Sequence, residues 1–85
     1  MKTIKFYDNK NTIYKNLKTI REKLNMSQEE LAAQLQTHGV SIDQQAISKI
    51  ERNTRIVTDY ELACLCKILK VDEKWLLSYC YDLIK

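Results

Sequence analysis

Proline is absent from this 85-residue chain, and glycine occurs once, at Gly39. Turn-rich β architectures lean on both residues, so their scarcity points away from that class and toward helices with short connections. No apolar run approaches the roughly 18 residues that a membrane-spanning helix needs. The opening stretch MKTIKFYDNK has no apolar h-region and does not read as a secretory signal. His38 is the only histidine, and no cysteine stands near it at ligand spacing. Cys64, Cys66 and Cys80 form an odd set, and Cys64 and Cys66 point in different directions on an expected helix. Free thiols in a reducing cytoplasm are the plain reading, with neither a metal nor a cofactor expected. Without a metal cluster, a glycine-rich loop or a Ser–His pairing, no catalytic set can be assembled, and an enzyme is not expected.

Hydrophobic residues make up 45% of the chain, enough for one core and too many for a disordered polymer. The length suits a single small domain. The net charge is +3, and its distribution says more than its size. Residues 1–58 hold ten Lys/Arg and six Asp/Glu, while residues 59–85 hold four and five, a split of +4 and −1. The basic excess lies in the first two thirds of the chain, as expected if that part meets an anion.

The stretch from Ser27 to Asn53 organises the rest. Ser27 followed by Glu30 is a capping box and marks a helix start. Leu31, Ala32 and Leu35 then share one face. Asp43 is a good N-cap for a second helix, over 44–52, whose Ala46, Ile47 and Ile50 point one way. Gln44, Gln45, Ser48 and Lys49 point the other way. That face offers two amides, a hydroxyl and an ammonium, with no acid until Glu51. Glutamine can bond the N6/N7 edge of adenine bidentately in the major groove. A solvated polar face is the bland alternative, but the face sits on the second helix of a tight pair, the usual place for a reading helix.

The other elements follow from periodicity and caps. Ile13, Leu17, Ile20 and Leu24 form an apolar stripe on a helix over 12–24, with Thr12 or Asn11 as its cap and Asn25 suited to the left-handed position that ends it. Val40 and Ile42 are expected to tuck into the core, and His38 to sit in the loop. Thr58 and Glu61 form a second capping box, opening a helix to about Leu69, and Asp72 caps another that continues into SYCYDLIK. The organisation is an arm over 1–11, a domain over 12–78 and a tail over 79–85. The arm, with Lys2, Lys5 and Lys10 around Ile4 and Phe6, reads as frayed or as a short extended segment. It could track phosphates, pair with a second subunit or stay disordered. The tail carries Tyr79, Tyr81, Leu83 and Ile84, which fit a subunit contact or a cap over the core. An all-α domain of five helices is expected.

The segments NLKTIREKLNMSQEELAAQL, AISKIERN, TDYELACLCKILKV and WLL together resemble the lambda-repressor/Cro-like helix-turn-helix domains, over about residues 13–77. The resemblance implies a compact five-helix bundle that binds a double-stranded DNA operator, usually as a homodimer. It places Gln44, Gln45, Ala46, Ser48 and Lys49 toward the bases. It places Gln28 at a phosphate and Asn53 in the turn whose backbone approaches one; Arg55, with nearby lysines, is expected to hold the DNA backbone beside them. Arg21 and Glu51 match a buried ion pair linking the first and third helices. One departure stands out: QTHGVSI separates Leu35 from Asp43, a turn roughly four or five residues longer than the family's habit. The second helix runs on, or the loop bulges. With no second domain to bind an inducer, a repressor controlled through abundance, a partner or proteolysis is expected. The rival reading is a protein-interaction module, such as an antitoxin or anti-repressor component, acting through Tyr79–Ile84.

Overall fold

The computed structural model describes residues 5–85. Met1–Ile4, including the Lys2 and Ile4 of the expected arm, lie outside the described residues. Six helices follow one another: α1 (Tyr14–Lys23), α2 (Gln28–Thr37), α3 (Gln44–Glu51), α4 (Asp59–Leu69), α5 (Glu73–Leu76) and α6 (Ser78–Leu83). Among the described residues the only β pairing is an isolated bridge between Phe6 and Asn9.

Four helix starts, those of α2 to α5, are set by side chains close in sequence. Ser27 and Thr58 form complete capping boxes with Glu30 and Glu61. Asp43 and Asp72 accept from the backbone of Ala46 and Trp75 at 2.9 and 2.7 Å. Each cap satisfies an amide that would otherwise be an orphan of the first turn. Four helices end in the same way, with one residue in the left-handed region: Asn25, Gly39, Asn53 and Lys70. In each case the next residue reaches back five positions, Met26 to Arg21, Val40 to Leu35, Thr54 to Lys49 and Val71 to Cys66. This is the Schellman pattern, and it recovers carbonyls the helix leaves unpaired.

The core is one cluster. Leu17, Leu31, Leu35, Ile47, Ile50, Leu65, Leu69 and Leu76 are its largest fully buried members, drawn from α1 to α5. Val40 and Ile42 are buried beside them. These two residues explain how the long connection between α2 and α3 is accommodated. Helix α2 runs to Thr37 with His38 as its exposed C-cap, Gly39 turns the chain, and Gln36 Nε2 donates to the Ile42 carbonyl at 2.8 Å. The extra residues form a packed, pinned loop rather than an open bulge.

Three expectations need correcting. The last helix is two, broken at Leu77, which brings the count to six. Asn16 on α1 donates to the Trp75 carbonyl at 3.0 Å and to Ser78 Oγ at 2.9 Å, taking a carbonyl that a continuous helix would use for its own ladder. Helix α1 begins at Tyr14 without a side-chain cap on its first turn; Asn11 Oδ1 accepts instead from the amide of Ile13, the residue before Tyr14, at 3.1 Å. The described part of the arm is neither frayed nor extended. Phe6 and Asn9 exchange backbone hydrogen bonds of 2.8 Å around Tyr7 and Asp8, both at positive φ, forming a tight turn. Its Asn9 and the following Asn11 are buried.

Candidate nucleic-acid interface

The outward side of α3 is where the amides gather. Ile47 and Ile50 fix the helix to the core, with α2 packed on one flank and α1 on the other. That leaves Gln45 and Lys49 exposed, and Gln44, Ala46 and Ser48 half-buried. Ala46 packs partly against the core, so its methyl is shared between the interior and the open face.

Gln44 is not a loose side chain. Its Nε2 donates to Gln28 Oε1 at 2.6 Å, and Gln28 Nε2 in turn donates to Glu51 Oε1 at 3.0 Å. Glu51 is itself held. Arg21 Nε and Nη2 donate to its two carboxylate oxygens at 2.6 and 2.9 Å, and Arg21 Nη1 donates to the Met26 carbonyl at 2.8 Å. The Arg21 and Glu51 side chains are 10% and 3% exposed. The carboxylate's hydrogen bond, weighed against burial, leaves the Arg21 guanidinium above its ordinary pKa. The result is one chain of contacts, Arg21–Glu51–Gln28–Gln44, running from α1 through the two helices of the pair to the open face.

The residues expected at the DNA backbone have intramolecular partners. Gln28 is the middle link just described. Asn53 Oδ1 accepts from the backbone of Lys10 and Asn11 at 2.9 and 3.2 Å, and its Nδ2 donates to Asn9 Oδ1 at 2.7 Å. Arg55 donates through both terminal nitrogens to Glu61 at 2.9 and 3.0 Å, and through Nη1 to the Ile56 carbonyl. Glu61 is buried, and its hydrogen bond outweighs burial in holding Arg55 above its ordinary pKa. Among the described residues, Lys49 and Arg52 on α3 and its C-cap stay exposed, as does Lys10, whose backbone bonds Asn53.

The tie that Asn9 and Asn11 make between the N-terminal turn and α3 was missed by sequence reasoning, which offered Asn11 only as a helix cap. Asn11 Nδ2 donates to the carbonyls of Ile50 and Arg55 at 3.0 and 2.9 Å, so both asparagines tie the N-terminal turn to the end of α3. The one signal available was the run Asp8–Asn9–Lys10–Asn11, rich in residues that bond their own backbone in turns.

The cysteines are all free. Burial pushes the Cys66 thiol up to about 11, with Glu73 and Asp72 adding to the shift, so it stays protonated at neutral pH. Near the tail, Tyr14 and Tyr79 meet edge to face at 6.1 Å, while Tyr81 and Ile84 stand exposed. No helix among the described residues is long and apolar enough to cross a membrane.

Comparison with curated proteins and with solved structures gave no match. A family model described as helix-turn-helix matches residues 17–76, well over half of the chain and the whole of the α2–α3 pair with its supporting helices. The all-helical fold and the amide-bearing second helix agree with that match, and the chain belongs to the lambda-repressor/Cro-like family of helix-turn-helix DNA-binding domains.

Proposed function

We propose that this domain is a transcriptional repressor that reads a specific operator with α3 in the major groove. The observation that carries the reading is the outward face of α3: Gln45 and Lys49 are exposed, and Gln44 is oriented by Gln28 rather than buried. Gln44 keeps its carbonyl oxygen and one amide hydrogen for a base, which is what bidentate reading of adenine requires. Gln45, Ala46, Ser48 and Lys49 complete the base-facing set. Gln28 and the Asn53 turn flank the sugar–phosphate backbone, with Arg55 bracing the loop behind them. Phosphate contacts then set position, and the amides set sequence.

Operator binding as a homodimer is part of the proposal. Helix α6 has no buried residue, and its exposed Tyr81, with Ile84 just beyond it, offers an apolar contact for a second copy. Two α3 helices would then lie on half-sites about 34 Å apart. Selection of bound duplexes from a random-sequence pool tests both parts. An inverted repeat with half-site centres about 10 bp apart is the expected result. A single ungapped half-site would remove the dimer, and a pool that fails to converge would remove sequence reading altogether.

The same α6 surface supports a second reading, a partner protein docked on Tyr79–Ile84. A monomer that selects a half-site would favour it.

A further inference from the structure

Two side chains attach the N-terminal turn to the end of the reading helix: Asn11, which donates to the Ile50 carbonyl, and Asn53, which holds Asn9 and the Lys10 backbone. Asn53 follows α3 in the left-handed conformation, at φ 61°. Its amide is engaged on both sides: the oxygen takes the backbone amides of Lys10 and Asn11, and the nitrogen donates to Asn9. The Phe6–Asn9 turn therefore moves with α3, although 44 residues separate Asn9 from Asn53.

Dimensions say where that places the turn. Helix α3 has eight residues, an axial length of about 12 Å. The major groove is about 12 Å wide. A helix that puts Gln44 and Gln45 at base edges carries its other end to the groove rim, where the phosphates run. At that end Arg55 is committed to Glu61. Lys10 is exposed and bonded through its own backbone to Asn53, and Lys5 is exposed on the other limb of the turn. Asp8, at the tip, is the only acid in the turn.

We propose that the Phe6–Lys10 turn is a phosphate clamp for double-stranded DNA, with Lys10 as the contact and Asn53 as the residue that positions it. The clamp rests on the reading above, in which α3 enters the major groove. It adds a sequence-independent contact from a part of the chain outside the helix pair.

The test measures the salt dependence of binding to a fluorescent two-turn duplex pool of random sequence. Lys10→Ala makes the slope of log K against log salt less steep by about 1, the signature of one lost phosphate contact. Asn53→Gly removes the amide but keeps a residue that adopts positive φ freely, so α3 still ends correctly. It gives the same loss of slope, and Lys10→Ala adds nothing further in that background. A purely structural Asn53 would lower the melting temperature without cancelling the effect of Lys10. Asn9→Ala frees the turn from its other side and repeats the result if Asn53→Gly proves too unstable to assay. A Lys10→Ala slope equal to wild type, with Gln44→Ala still losing sequence preference, overturns the clamp and leaves operator reading intact. Absence of salt-dependent binding by the wild-type protein overturns both.

Discussion

Gln28 stands between Gln44 and Glu51, accepting from the first at 2.6 Å and donating to the second at 3.0 Å. On the proposed reading Gln44 is thereby oriented before a duplex arrives, and the loss of rotamer freedom that binding would otherwise demand is already incurred in the fold. Gln44→Ala is expected to cost about 1–3 kcal/mol on the preferred operator and to relax one base position. Gln28→Ala should cost less, because it removes orientation rather than the reading group. Combining the two should be non-additive, with a coupling on the order of 0.5 kcal/mol or more. Titration of the four proteins against the selected operator checks this. Strict additivity would mean that Gln28 does not orient Gln44.

The other end of the same chain of contacts governs stability. Glu51→Ala leaves the Arg21 guanidinium buried with only the Met26 carbonyl as partner. Loss of one member of a buried ion pair costs about 3–5 kcal/mol, much of it the burden of the stranded charge. Replacing both residues with apolar ones of similar volume should cost clearly less. Urea unfolding of the single and double variants separates the cases. The single variant should also bind its operator less selectively than its folded fraction predicts, since Gln28 loses its anchor.

Which features could be read from the chain follows from how far apart their partners lie. Ser27 with Glu30 and Thr58 with Glu61 are three residues apart, and both capping boxes are present where the spacing puts them. The buried faces of α2 to α4 were equally legible, because a helical period exposes its own buried face, but the α1 stripe held only in part: Ile13 and Leu17 are buried and Ile20 half-buried, whereas Leu24, at the C-cap, is 46% exposed. Arg21 and Glu51 are 30 residues apart, and nothing local pairs them; family resemblance alone suggested it. The latch from Asn53 to Asn9 could not be seen at all, since an asparagine carries no mark of a partner 44 residues away. The break between α5 and α6 has the same origin, a side chain on α1 taking a carbonyl 59 residues further on.

Acid should weaken the fold through Glu61. Burial pushes its carboxyl up, but the hydrogen bonds from Arg55 and Thr58, with the Arg55 charge, together hold it below the ordinary glutamate value. A carboxylate with a depressed folded pKa binds fewer protons when folded than when unfolded. Its stabilisation is therefore complete above the unfolded value, about 4.3, and is lost as pH falls through the folded one. Glu30, held down by its backbone and side-chain bonds with Ser27, acts in the same direction from the surface. The urea midpoint is expected to hold steady from about pH 7 to about pH 5 and to fall below about pH 4.5. Glu61→Gln should lower the midpoint at neutral pH by removing a charge-assisted pair worth about 1–3 kcal/mol. It should also make the acid limb shallower. An unchanged acid limb would place the titration elsewhere.

Helix ends offer a stabilising change and its converse. Lys70 closes α4 at φ 58°, a conformation that crowds the Cβ of any L-residue. Glycine adopts it without that crowding, at the cost of greater freedom in the unfolded chain, and is the residue most often found there. Lys70 is exposed, so little packing is lost with its side chain. Lys70→Gly is therefore expected to stabilise the domain by about 0.5–1 kcal/mol, read as a higher urea midpoint at constant slope. Gly39 is the reverse case. A Cβ added there meets nothing within 4 Å, so space does not oppose it, but φ is +84°. Gly39→Ala should then destabilise by about 1–2 kcal/mol through backbone strain alone. If the Gly39→Ala cost proved negligible, the loop between α2 and α3 would have to relax away from the left-handed turn. The geometry that seats Asp43 at the head of the reading helix would shift with it, and operator selectivity would fall in the same variant.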